Sequence, residues 1–241
     1  MARSWVTHGV VQAFWPVARA PTGHDADGTA AESINVYYMV VEEGVYTQAT
    51  DGVDMEAARF TSTITDENNS WNGQNAGYAG SYSSPVVFGQ VMTFNDSLWS
   101  VFWCSNGSRS QPPNSSSLYV GKHVGEDPVT ARNDEVLGYV VIESGSGTMS
   151  GVSYWTALGS DIVRGPGNSP PYTYNPGASG TVTVGVATMA AMDGGNGGWA
   201  ALYGADPVGA SYIDLVADED QANDAERSHT TEQVGYIVFA D

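Results

Sequence analysis

The sequence predicts an all-β protein made of tandem antiparallel β-sandwich modules. Its apolar runs are short and rich in valine, tyrosine and threonine, and they end at turn-forming residues; the chain has 29 glycines and 11 prolines. No stretch keeps helical spacing of apolar residues for three turns. One apolar motif recurs around Tyr38, Tyr139 and Tyr236, which stand 101 and 97 residues apart. That period is the size of a small domain, so we expect a duplicated module.

The repeat divides the chain into two complete modules and part of a third. We place the complete modules at 48–147 and 148–241, each opened by a Gly-Val pair at residues 52–53 and 151–152. Residues 1–47 then read as the C-terminal half of another module. Its strands lack their early partners, so we expect them to complete a neighbour. Strands shared in this way predict a homo-oligomer or polymer.

Within each module the predicted elements follow one order. An early strand is followed by a polar loop at 67–84 or 164–179. The next strand lies at 85–93 or 181–189, and the repeat aligns Gly89 with Gly185. A strand containing tryptophan follows at 99–103 or 199–203, and the repeat aligns Trp99 with Trp199. The closing strands at 139–142 and 236–239 are apolar throughout. Such runs predict strands covered on both faces, either central in a sheet or between modules.

The charge of the chain excludes some partners. With 27 acidic and 8 basic residues, the formal net charge is −19. Lysine and arginine neutralise phosphates when proteins bind nucleic acid or anionic membranes, so neither partner is expected. No apolar run has transmembrane length, so membrane insertion is not expected either. The single cysteine, Cys104, rules out a disulfide within the chain and is expected to be a buried thiol.

Acidic loops precede the closing strands and form the candidate metal site. Hard cations such as Ca²⁺ bind six to eight oxygens, which clustered carboxylates can supply. No EF-hand spacing is present, and a solvated turn capped by aspartate explains the same pattern. Calcium is therefore the one candidate cofactor. The candidate ligands are Asp218, Asp220, Asp224, Glu226, Glu126 and Asp127.

Aromatic residues in polar loops form the candidate ligand-binding site. Sugar sites combine aromatic rings for stacking with polar groups that bind hydroxyls. Trp71 lies in an asparagine-rich loop, and the arginines lie in the acidic loops. Trp99, Trp103 and Trp199 lie on predicted strands and are expected in the core. The candidate ligand-binding residues are Trp71, Asn72, Tyr78, Tyr82, Trp155, Arg132 and Arg227.

Three motifs together resemble a known family. These are the Ser-Pro-Val-Val run at 84–87, the tryptophan strand at 99–103 and the apolar strand at 139–143, with second copies at Trp199 and Tyr236. The combination resembles the H-type lectin-like (jelly-roll-like) β-sandwich, and related modules repeated in extracellular proteins of marine bacteria. The resemblance implies a six-stranded sandwich, frequent oligomerisation and sugar binding. It also implies an extracellular or cell-surface location.

Three functions remain open from the sequence. The first is a non-catalytic carbohydrate-binding module, stabilised by calcium, whose partner is a glycan or polysaccharide. The second is a structural subunit that assembles into a surface layer, filament or virion. The third is a polysaccharide-active enzyme using the repeated carboxylates Glu135 and Glu232. Duplication of these two residues favours a structural role over a catalytic one, so we expect no enzyme.

Overall fold

The computed structural model describes residues 10–12, 37–68 and 70–240, and it confirms the all-β prediction. The described helices are α1 at Gln48–Asp51 and a 3-10 turn at Pro166–Asn168. Among the described residues, no helix is long and apolar enough to cross a membrane. The strands are β1 Val10–Gln12, β2 Val40–Glu42, β3 Gly44–Tyr46, β4 Met55–Ser62, β5 Thr65–Asp66, β6 Gln74–Asn75, β7 Pro85–Val91, β8 Val101–Ser105, β9 Tyr119–His123, β10 Glu135–Glu143, β11 Gly145–Met149, β12 Val152–Leu158, β13 Tyr172–Tyr174, β14 Val182–Met189, β15 Trp199–Leu202, β16 Val208–Gly209, β17 Tyr212–Asp218 and β18 Val234–Ala240.

Most of these strands form four small sheets of four strands each. Sheet I has the order β3-β4-β10-β7, and sheet III has the matching order β11-β12-β18-β14. Sheet II is built around β9, which pairs with β5, β6 and β8. Sheet IV is built around β17, which pairs with β13, β15 and β16. All pairs are antiparallel except β5 with β9. Sheets I and II form the first half of the chain and sheets III and IV form the second half, and the strand order of sheet I is repeated in sheet III.

The strand register corrects the residue-by-residue alignment of the repeat. Tyr139 lies opposite Gly89, whereas Tyr236 lies opposite Ala187. Gly89 is therefore the counterpart of Ala187 and not of Gly185. A shift of two residues leaves the alternation of side chains along a strand unchanged, so the sequence pattern alone cannot detect it.

The sheets pack face to face in the order II, I, III, IV. One face of sheet I, with Val87 and Val141, packs on sheet II, and the opposite face, with Phe88 and Ile142, packs on sheet III. The core between sheets III and IV also contains Trp103 of sheet II. This arrangement resembles a four-bladed propeller, and it corrects the prediction of two separate tandem sandwiches. The hydrophobic cluster between sheets I and III contains residues of both halves.

The closing strands occupy the centres of their sheets, as their apolar sequences predict. Strand β10 lies between β4 and β7, and β18 lies between β12 and β14. Near the start of the chain, β2 pairs with β1, and β3 joins sheet I through β4. Residues 1–9 and 13–36 lie outside the described residues, so the half-module at 1–47 stays a prediction.

One segment of the second half joins the two halves. Residues 190–196 follow β14 and lie against β8, where the amide of Ala191 donates to the carbonyl of Cys104 at 2.9 Å. Arg109 Nη1 donates to the carbonyls of Met192 at 3.0 Å and Asp193 at 2.6 Å. The indole N–H of Trp71 donates to the Gly195 carbonyl at 2.9 Å. These bonds and the shared core tie the halves together.

We expect the two halves to unfold in a single transition. Unfolding in urea, followed by far-ultraviolet circular dichroism and by tryptophan fluorescence, should give coincident curves. Trp71→Phe removes one hydrogen bond between the halves and should lower the common free energy of unfolding by about 1 kcal/mol. Two separated transitions in the unchanged protein would contradict this expectation.

Candidate functional site

A cleft of about 290 Å³ lies where the two halves meet. Its walls come from β7, β8 and the loop between them in the first half, and from the ends of β14 and β15 in the second half. Most of its surface is apolar. Its lining residues include Gln90, Val91, Thr93, Phe94, Leu98, Trp99, Val101, Phe102, Glu135, Thr188, Met189, Trp199 and Ala200.

Two half-buried tryptophans face each other across the cleft. The rings of Trp99 and Trp199 meet edge to face, with centroids 6.3 Å apart. Arg132 holds the first of them in place, because its Nε donates to the Trp99 carbonyl at 2.8 Å. The sequence predicted both rings in the core. Only Trp103, which is 1% exposed, occupies the core fully.

Large apolar side chains are exposed at the mouth of the cleft. Phe94 is 79% exposed and Leu98 is 42% exposed, and both line the cleft. We call Phe94 and Leu98 the apolar rim. Exposed apolar groups gathered at one place mark interaction surfaces more often than scattered ones do.

The polar side chains of Glu135 and Thr93 in the cleft already form hydrogen bonds within the protein. The buried Glu135 carboxylate accepts bonds from the amides of Asn95 and Asp96, each at 2.9 Å. The Thr93 hydroxyl donates to the same carboxylate and accepts from the amide of Val136. The cleft therefore presents mainly rings and apolar carbons to a ligand.

Glu232 performs the same task in the second half. Its two oxygens accept the amides of Asp193 at 2.9 Å and Gly194 at 2.7 Å. Both repeated glutamates therefore hold the backbone of a loop that follows β7 or β14. The repeated glutamates therefore make equivalent hydrogen bonds in the two halves.

A buried histidine links Glu232 to the acidic loop. His229 Nε2 lies 2.9 Å from Glu232, and Nδ1 lies 3.1 Å from Glu219. Burial alone would lower the pKa of His229, but the bonds to both carboxylates raise it to about 9. The imidazole is therefore charged at neutral pH and donates from both nitrogens. Burial raises the pKa of Glu219 above its ordinary value.

The predicted aromatic ligand residues do not gather in one place. Trp71 packs edge to face on Trp103 with centroids 5.1 Å apart, between the halves. Tyr82 is buried beside Tyr78, and their rings are 5.4 Å apart. Trp155 is half-buried against the core of sheets III and IV. The side chain of Asn72 is exposed. None of these five lines the cleft.

The two predicted arginines form ion pairs within their own loops. Arg132 Nη2 lies 2.9 Å from Asp127, and the arginine side chain is fully buried. Arg227 is exposed and lies 2.5 Å from Asp218. Arg132 alone touches the cleft, through the Trp99 backbone.

The remaining predicted metal ligands lie at a junction between the halves. Asp220 accepts the amide of Glu126 at 2.8 Å, which joins the second half to the first. Asp224 and Glu226 are exposed and accept backbone amides of their own loop. Partial burial, followed by the charges of Asp224 and Asp220, raises the pKa of Glu126. Among the described residues, no three His, Cys, Asp or Glu side chains are arranged to hold a metal, so calcium stays a prediction.

Sequence reasoning missed the buried charged groups that shape this region. Asp66, fully buried, accepts the indole N–H of Trp103 at 2.8 Å. Lys122 is also fully buried and donates to the Ser62 carbonyl at 2.9 Å. The one available signal was the position of Lys122 on a strand of a lysine-poor chain.

We expect stability to fall as the pH rises from about 6.5 to 9. His229 has a raised pKa in the folded state, so its contribution is complete below the unfolded value and is lost as pH passes the folded value. The loss should be on the order of 3 kcal/mol. Urea unfolding at a series of pH values measures it, and His229→Gln should flatten the profile in this range. An unchanged slope in that variant would contradict the assignment.

The chain was compared with known proteins on three levels. No family model, no curated protein and no solved structure matches it. The cleft, the apolar rim and the junction are therefore the basis for assigning a function.

Proposed function

We propose that this protein is a non-catalytic structural subunit that associates with other copies of itself through the cleft and its apolar rim. The observation that carries the proposal is the exposure of Phe94 and Leu98, which line an apolar cleft. A surface layer, filament or virion would use such a subunit, outside the cell or at its surface.

The chemistry of the cleft supports a protein partner. Aromatic side chains in partly desolvated pockets supply most of the binding energy of typical interfaces, and Trp99 and Trp199 provide two. Glu135 and Thr93 are occupied by the loop backbone, so little hydrogen-bonding capacity is left for hydroxyl groups. The net charge of −19 makes copies repel one another, so apolar contact must overcome that repulsion.

Repulsion between acidic copies makes association depend on salt. Because screening shortens the range of charge repulsion, higher ionic strength should favour the associated form. Calcium belongs to the same proposal, since it would neutralise carboxylates at the junction of Glu126 and Asp220. Comparison of calcium with EDTA at equal ionic strength separates this effect from general screening.

We expect light scattering after size-exclusion chromatography to give more than one chain per particle at micromolar concentration. Phe94→Ser and Leu98→Ser should each weaken association at least tenfold, because each removes apolar surface from the rim. Ile162→Ser is the matched control, since Ile162 is 41% exposed and Leu98 is 42% exposed. A monomer at every concentration and salt level would overturn the proposed function.

Carbohydrate binding is the second candidate, carried by the half-buried ring pair. Trp99 and Trp199 stand at 76° to each other, so one ring offers its face and the other its edge to a ligand in the cleft. The apolar face of a sugar ring could stack there. Backbone groups at the cleft mouth would have to bind the hydroxyls.

If a polysaccharide binds in the cleft, tryptophan fluorescence should change on titration. Trp199→Phe keeps a ring but loses stacking area, and it should weaken binding about tenfold. Tyr172 lies on β13, away from the cleft, so Tyr172→Phe serves as the control. Equal responses from both variants and the unchanged protein would exclude the cleft as a sugar site.

A further inference from the structure

Two loops in the molecule are counterparts with opposite environments. We call residues 92–98 the Phe94 loop and residues 190–196 the Met192 loop. The amide of Met92 donates to the Val136 carbonyl at 2.7 Å, and that of Ala190 donates to the Gln233 carbonyl at 3.0 Å. Glu135 then accepts the amides of Asn95 and Asp96, and Glu232 accepts those of Asp193 and Gly194. These anchors place Phe94 at the position of Met192.

The two loops differ in what covers their apolar residue. Met192 is fully buried, whereas Phe94 is 79% exposed. The Met192 loop lies against β8, with Ala191 donating to Cys104 and the amide of Met192 donating to the Arg109 carbonyl at 2.8 Å. Strand β8 pairs with β9 on its other side. The Met192 loop thus covers the free edge of an edge strand.

The counterpart of that edge is open. Leu202 comes ten residues after Met192, as Cys104 comes ten residues after Phe94, so the end of β15 corresponds to the covered part of β8. Strand β15 pairs with β17, and the part of the chain that the structure describes places no strand on its other edge. Tyr203, directly after β15, is 39% exposed. Within residues 10–12, 37–68 and 70–240, the Phe94 loop therefore has no strand edge to cover, and the β15 edge has no loop on it.

We infer that the Phe94 loop of one copy docks on the β15 edge of a second copy, as the Met192 loop docks on β8 within the chain. This inference rests on the proposed function and names its contact. The loop and the β15 strand both border the same cleft, through Phe94 and Trp199. When each copy gives one loop and receives one, the two contacts are equivalent. Such reciprocal docking closes into a twofold dimer.

The anchoring of the loop favours contact between copies over closure within one copy. The Glu135 carboxylate and the Thr93 hydroxyl fix the loop on both sides of Phe94. Asn133 Nδ2 also donates to the Asn95 carbonyl at 2.7 Å, and Asp96 accepts the amide of Asn133 at 2.9 Å. With its base held in this way, the loop presents Phe94 outward, and none of the residues that the structure describes buries it.

Photocrosslinking tests this contact in the full chain. Phe94 is replaced by p-benzoyl-phenylalanine, which keeps the aromatic ring, and this protein is mixed with unmodified chain labelled with ¹⁵N. After illumination, we expect crosslinked peptides that join the unlabelled Phe94 loop to labelled residues 199–204. The same group at position 162, which is 41% exposed, is the control and should give no such product. Tyr203→Asp in the labelled chain should lower the yield about tenfold.

Each other outcome has a distinct meaning. Crosslinks only between the unlabelled loop and unlabelled residues 199–204 would show closure within one chain and overturn the inference. Crosslinks to another labelled segment would also overturn it, but the proposed self-association would stand. If light scattering shows only monomer and no labelled crosslink forms, the inference and the proposed function both fail.

Discussion

The fold depends on buried carboxylates that accept the backbone amides of loops. Small sheets joined by long loops bring many N–H groups into the interior, and each needs an acceptor. Glu56 accepts the amides of Ala79 and Gly80, and Asp66 accepts those of Asn72 and Gly73. Charged acceptors make stronger bonds than neutral ones, which offsets the cost of burying them. Part of the acidic excess of the chain is therefore structural rather than a surface property.

The same interaction explains why the halves are not independent. Glu232 holds the loop that reaches across to β8, and His229 joins Glu232 to the acidic loop through Glu219. The acidic loop in turn returns to the first half, where Asp220 accepts the amide of Glu126. Carboxylates thus act at both ends of a continuous connection between the halves. The positive His229 inside it donates to both neighbouring carboxylates.

The sequence was informative where a property is local and uninformative where it depends on contacts. The apolar run around Tyr139 marks a central strand because burial on both faces leaves no polar positions. Glu135 and Glu232, which the repeat singles out, each accept two backbone amides of a loop. Burial of Asp66, in contrast, depends on Trp103, 37 residues away, and no local pattern reveals such a partner. Trp99 and Trp103 lie only four residues apart, yet one lines the cleft and the other fills the core.

Differences in sequence between the two equivalent loops explain their different environments. Gly194 lies so close to His229 that a Cβ would stand 2.4 Å from the ring, and the counterpart position carries Asp96. Gly197 adopts a φ of +88°, which favours glycine. In the corrected alignment its counterpart is Trp99, which therefore does not align with Trp199 as the sequence predicted. Glycines therefore let the Met192 loop pack tightly inside the molecule, while larger residues keep the Phe94 loop outside. The two loops share the same anchors, and only the Met192 loop joins the halves of the molecule.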